Sequence, residues 1–180
     1  MTDFEPILRD ANRRLSAELR GAGQSVWSAD VGDRDLHVEL SWVGLNDSAP
    51  PAGAADLLGT DRLLVRDRTY VVDGRRICWA RNYFDYDLVS GTAIAEPDSR
   101  PGGVHARLAE LGLEPVAFVE DVEFAAAASG SEMRELKDYS RPLMVRITRR
   151  ALTVEERVVE VADMRLVASA YVFRWAWKNA

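Results

Sequence analysis

The stretch RDRTYVVDGRRICWARNYF, Arg66 to Phe84, decides the fold. Val65 to Val72 is rich in β-branched and aromatic residues, Asp73-Gly74 supplies a reversal that needs positive φ, and Ile77 to Phe84 returns with alternating side chains. This pattern predicts a β-hairpin. Side chains alternate across a strand, so Arg66, Arg68 and Tyr70 share one face while Val65, Asp67, Thr69 and Val71 share the other. Two arginines and a tyrosine on one face suit an anion. They equally suit a solvated face, the usual place for charge.

Outward from the hairpin, alternation and turn signals recur. Upstream, Asp35 to Val43 sets Leu36, Val38, Leu40 and Trp42 against His37, Glu39 and Ser41, a half-buried strand with His37 on its surface side. Pro50-Pro51 marks the loop Asn46 to Gly53, and Ala54 to Leu58 reads as a short helix closed by Gly59. At the start of the chain, Phe4, Ile7, Leu8, Ala11, Leu15 and Leu19 fall at helical spacing. They predict an amphipathic, linker-like helix within residues 1–24, ended by Gly21 and Gly23, ahead of a main domain over 25–180.

Downstream, DYDLVSGTAIAEPDSRPGG is irregular, with a helical turn at Asp87 to Ala93, and loops of that length are often functional. Gly103 to Leu111 forms a helix with His105 near its start, where a histidine could meet an anion or simply pack. Val116 to Phe124 alternates, but Glu120 sits in the apolar row. Ser129 to Glu132 has the capping-box pattern ahead of a short helix through Leu136. Leu143 to Leu152 and Val158 to Val167 make a second hairpin, and Glu160 interrupts the row Val158, Ala162, Met164 and Leu166. A buried carboxylate needs a partner, so Glu160 implies an arginine, a backbone donor or a ligand nearby. A last strand alternates Tyr171, Phe173, Trp175 and Trp177 with Val172, Arg174 and Ala176, aromatics that suit a core or a dimer interface. Reverse connections dominate, which predicts an α+β fold: a mainly antiparallel sheet flanked by helices.

The totals restrict function. A chain of 180 residues, 47% hydrophobic and 29% charged, suits one globular domain with a proper core. A formal net charge of −6 without a dense basic patch argues against phosphate-backbone binding. The basic pairs Arg13-Arg14, Arg75-Arg76 and Arg149-Arg150 are isolated, flanked by acids or apolar residues. The single cysteine, Cys78, makes neither an intramolecular disulfide nor a cysteine-rich zinc site, and it reads as a buried, inert thiol. No signal peptide or membrane span is visible, and a cytoplasmic, soluble protein is expected. Phosphate loops, dinucleotide fingerprints, nucleophile elbows and H-E-x-x-H motifs are missing, so no cofactor and no metal are expected. The residues alone lead to an α+β domain with an anion site.

The order of segments goes further. The D-G hairpin, then NYFDYDLVSGTAIAEPDSRPGGVHARLAELG, PLMVRITRRAL and VVEVADMRLVASAYVFRW together resemble the UTRA domain over roughly Ser25 to Trp177. That is the effector-binding domain of HutC-type regulators in the GntR family, with a fold like chorismate lyase. RDANRRLSAELRGAGQSVW looks like the linker that follows the DNA-binding domain in such proteins; here it comes almost directly after Met1, and the winged helix-turn-helix is not seen. The resemblance implies a small-molecule ligand, a homodimer, no direct DNA binding by this chain and a possible partner regulator.

It also implies site residues. Arg68 matches an arginine that contacts anionic groups in members sensing amino-sugar phosphates, and Glu160 matches an acid that hydrogen-bonds polar groups of the ligand. A second arginine of those members falls at Tyr70 and a glutamate at Ala80, which counts against a phosphorylated amino sugar. Tyr83 matches a frequent S-Y, with Asn82 in the serine's place, and His105 replaces a common tyrosine. Trp79, Phe84, Tyr86 and Trp175 suggest a flatter or more apolar ligand, or plain core. The ligand-binding set expected is therefore Arg66, Arg68, Tyr70, Asn82, Tyr83, His105 and Glu160. The function expected is a free-standing effector-binding domain for an anionic or aromatic metabolite. The alternative is an enzyme recruited from the same fold, acting on a small carboxylate-bearing substrate through Glu160, Glu120 or His105.

Overall fold

The computed structural model describes residues 4–11, 26–45, 50, 53–125, 130–136 and 142–177. In chain order the elements are β1 (Ile7–Asp10), α1 (Val26–Val31), β2 (Leu36–Leu45), α2 (Ala54–Leu58), β3 (Leu63–Val72), β4 (Arg75–Asp85), α3 (Tyr86–Val89), α4 (Gly103–Glu110), β5 (Ala117–Ala125), α5 (Gly130–Glu135), β6 (Met144–Leu152), β7 (Val158–Val167) and β8 (Tyr171–Arg174). The fold is α+β. A six-stranded sheet in the order β2-β3-β4-β7-β6-β5 is antiparallel throughout, and β1 and β8 form a second, parallel pair.

The β3–β4 hairpin forms where its sequence predicts. Val72 stands opposite Arg75, and Asp73 and Gly74 between them have φ of 49° and 74°, the two left-handed residues that a type I′ turn requires. Because β3 is flanked by β2 and β4, its faces are those of a central strand. Val65, Tyr83 and Val161 align on the reverse face, where Ala54 and Leu58 of α2 cover them. The opposite face carries the two larger clusters. One gathers Tyr70, Cys78, Leu166 and Val145 with Val31, Leu136 and Tyr171. The other gathers Leu64, Phe84 and Ala151 with Ile94 and Leu108.

Two expectations give way. The helix anticipated from residue 4 is not formed at its start: Ile7–Asp10 is a strand whose Ile7 and Arg9 are buried while Leu8 is exposed, a period of two. Pairing with β8, Ile7 opposite Tyr171, overrides the helical spacing over these four residues. The remainder of that helix, with Gly21 and Gly23, lies outside the described residues, as do most of the Asn46–Gly53 loop and the alanine run after Ala125. The second concerns β2, an edge strand whose register shifts between Leu40 and Trp42. Val38 and Trp42 are exposed there instead of sharing a buried face, and His37 is at the surface as expected. The last strand stops at Arg174, leaving Trp175 and Trp177 exposed.

Candidate functional site

Antiparallel register lines up one residue from each strand into rows that cross the sheet. Between the two apolar clusters runs a polar row: Arg66 of β3 opposite Asn82 of β4, Asn82 opposite Ala162 of β7, Ala162 opposite Arg149 of β6, and Arg149 opposite Glu120 of β5. Arg68 flanks this row on one side and Glu160 on the other, each two residues along its strand and so on the same face. Polar side chains in adjacent strands at one level, between apolar layers, give this face of the sheet a charged band.

Glu160 is the centre of that band and is 0% exposed. Asn82 donates from Nδ2 to Oε1 at 2.5 Å, Arg149 donates from Nη2 to Oε2 at 3.1 Å, and His105 Nε2 lies 2.8 Å from Oε2. Burial alone would raise this carboxyl, but the Arg149 charge and the contacts from His105 and Asn82 outweigh it and hold the group well below the usual carboxylate range. His105 reaches it from α4, and Phe118 of β5 lies against both partners, its ring 5.4 Å from that of His105 and 5.8 Å from the Arg149 guanidinium carbon. At the far end of the row, Arg9 of β1 pairs with Glu120 at 2.6 Å and lies over Phe173.

The two hairpin arginines have different duties. Arg66 is 1% exposed and donates to the carbonyls of Ile94 and Pro97 at 2.6 and 2.9 Å, and also to that of Glu96. It clamps the loop that leads to α4. Burial, followed by the charge of Arg68, pulls its guanidinium down to about 10. Arg68 makes no hydrogen bond or ion pair among the described residues, and its Nε is buried without an acceptor. Tyr70 is stacked on Trp27 with centroids 4.0 Å apart. Burial pushes its phenol up, while Arg68 and Arg149, both near enough to be felt, act the other way.

The expected site residues thus separate. Arg66, Arg68, Tyr70, Asn82, His105 and Glu160 come together on one face. Tyr83 does not: it is fully buried on the reverse face beneath α2, because it is one residue out of phase with Asn82. Trp79 is likewise on the reverse face, donating to Asp67 at 2.7 Å, and Phe84 is core. Of the three acid–base candidates, Glu160 and His105 are bonded to each other, whereas Glu120 is bound by Arg9.

Two members of the band were not anticipated. Arg149 carries the same signal as Glu160, a charge in an apolar alternating row of Val145, Ile147 and Ala151. The doublet with Arg150 masks it, yet a strand sends the two apart: Arg150 faces out and pairs with Asp121 at 3.0 Å. Arg9 has no local signal, since its partner Glu120 is brought to it only by the β1–β8 pairing. Among the described residues, no three His, Cys, Asp or Glu side chains are placed to hold a metal ion, and no helix is long and apolar enough to cross a membrane.

Comparison with known proteins places this architecture. The family model described as UTRA domain matches residues 33–172. The effector domain of PhnF from Mycobacterium smegmatis superposes with a TM-score of 0.72 at 14% identity, covering 85% of this chain and 94% of that one. PhnF from the same organism gives 0.74 at 14% identity over 97% of this chain and 73% of that chain. A GntR-family transcriptional regulator from Enterococcus faecalis gives 0.66 at 16% identity over 78% and 100%. No curated protein matches the chain in sequence.

Proposed function

We propose, from the premise that this chain belongs to the UTRA domain family, that it is a regulatory domain which binds a small anionic or aromatic metabolite over the polar row. The observation that carries the reading is Arg68, a half-buried guanidinium with no partner among the described residues, beside a second arginine occupied by neutral carbonyls. Cations taken from water need a counter-charge, and for Arg68 no carboxylate among the described residues supplies one, which supports a ligand as the source. We further place the domain with the HutC-type GntR regulators, as a cytoplasmic homodimer. It would act through a partner regulator and not by touching DNA itself, and the net charge of −6 supports the last point.

The enzyme reading is less favoured. Glu160 is sealed from solvent and engaged by three donors, and Glu120 is held by Arg9, so neither is poised to move a proton to or from a substrate. A thermal-shift panel of carboxylates and phosphates on the wild-type chain and on Arg68→Ala tests the proposal. Stabilisation of the wild type that the variant loses supports it; equal responses from both proteins would remove Arg68 and the anion from the reading.

A further inference from the structure

We infer that the ligand has one anionic head on an otherwise apolar body, as an aliphatic or aromatic monocarboxylate does, with the head at Arg68 and the body along the site face of β2. This rests on the ligand-binding reading above and specifies its chemistry. Residues directly opposite each other in an antiparallel ladder share a face. Val38 stands opposite Tyr70, Leu40 opposite Arg68, Val43 opposite Arg66 and Leu45 opposite Leu64, so all four side chains of β2 lie on the face that carries the arginines. Plain alternation from Leu40 would put Trp42 there. The bulge between them inserts one residue and sends Trp42 to the reverse face, where its indole lies over Gly44, and it brings Val43 and Leu45 round instead. An unbroken apolar stripe results, and it is open. Val38 and Leu45 are 39% and 44% exposed, and Leu40 and Val43 are half-buried.

The other side of Arg68 is apolar as well. Across β4, β7, β6 and β5 its row runs through Ala80, Met164, Ile147 and Val122, so Arg68 is the one charge in it. Arg66, two residues along, spends its Nη donors on the carbonyls of Ile94, Glu96 and Pro97. Arg149 is paired with Glu160. One guanidinium is therefore left for one anionic head.

The polar row next to it offers little to a sugar or a polyol. Asn82, His105 and Arg149 are engaged with Glu160, and Glu120 with Arg9. Hydroxyls brought against the stripe would lose water without gaining partners, which is costly. A hydrocarbon body would instead cover apolar surface that is exposed in the free protein, which is favourable in proportion to the area covered.

Calorimetry on the full chain at low salt, with linear monocarboxylates from butanoate to decanoate, benzoate and gluconate, decides the matter. Affinity should climb by about twofold or more per added CH2 group, and hexanoate should bind about tenfold or more tighter than gluconate, its hydroxylated six-carbon match. Arg68→Ala should weaken every acid in the series. Val38→Thr together with Val43→Thr keeps β-branching and shape, so this protein should fold, and its affinities should rise less steeply with chain length. A slope unchanged in the threonine variant removes β2 and overturns the inference. Acids that bind Arg68→Ala as tightly as wild type mark adventitious apolar contact and overturn it too. So does gluconate that matches hexanoate and depends on Arg68, a result that leaves the ligand-binding proposal standing. If no acid binds, the inference falls, and the phosphates of the thermal-shift panel then decide the ligand-binding proposal separately.

Discussion

Arg149 and Glu160 face each other from adjacent strands of one hairpin, Nη2 to Oε2 at 3.1 Å, both buried, so the acid that interrupts the apolar row of β7 is answered by the base that interrupts the row of β6. The pair exists because strand alternation turns both residues to one face and the hairpin register brings them to neighbouring levels. Breaking it from one side leaves a buried charge uncompensated. Glu160→Gln should cost about 3–5 kcal/mol in urea unfolding, and a loss below about 1 kcal/mol would show that the interior does not depend on this carboxylate.

The pH dependence follows from the same carboxyl. Its folded value is depressed below the ordinary 4.5, so the stabilisation is complete above that value and is lost as pH falls towards the folded one. Stability should therefore decline as pH drops below about 4.5, by up to ~1.4 kcal/mol per pH unit from this group. Asp163, raised by burial against the pull of Arg165, works in the opposite sense, because the folded state takes its proton first. Comparing urea midpoints of wild type and Glu160→Gln through this range isolates Glu160; parallel curves would contradict the assignment.

Arg68→Ala separates binding from folding. With no partner to lose among the described residues and a like charge beside it relieved, the variant should be as stable as wild type or more so. Its affinity for the anion that binds wild type best should nevertheless fall by about tenfold or more. Unchanged affinity by calorimetry would exclude Arg68 from the site.

Arg66→Ala should do the reverse. It removes the donors to Ile94, Glu96 and Pro97, at an expected cost of about 2 kcal/mol. The effect should be local. The amides of Ala95 and Glu96, which close turns onto Thr92 and Ala93, should lose hydrogen-exchange protection while those of β3 and β4 keep theirs. Retained protection in the loop would mean that its own turns hold it.

Much of this fold is legible in the chain because strands advertise themselves locally. The D-G reversal and the alternation on both hairpins each specify their element within a few residues, and parity puts Arg66 and Arg68 on one face, to which the register across β4 and β7 adds Glu160. Tyr83 went to the reverse face by the same parity, since it neighbours Asn82 in sequence and cannot share its direction in a strand. The N-terminal segment misleads for a different reason. Ile7, Leu8 and Ala11 have helical spacing, but the partner that makes Ile7–Asp10 a strand lies at the other end of the chain. No local pattern encodes that partner, and Arg9 is invisible with it. Arg149 was readable; its doublet with Arg150 hid the alternation.

The β1–β8 pairing also sets an order of events in folding. Ile7 pairs with Tyr171, so this contact closes nearly the longest loop the chain can form, whereas the β3–β4 hairpin closes over two residues, Asp73 and Gly74. Loop-closure entropy makes the distant pairing the later one. Pulse-labelled exchange should find the amides of the hairpin protected before those of β1 and β8, and simultaneous protection would refute this. On a ribosome, the sheet's first hairpin can form while the polar row still lacks Arg9, which reaches Glu120 only after Tyr171 has emerged.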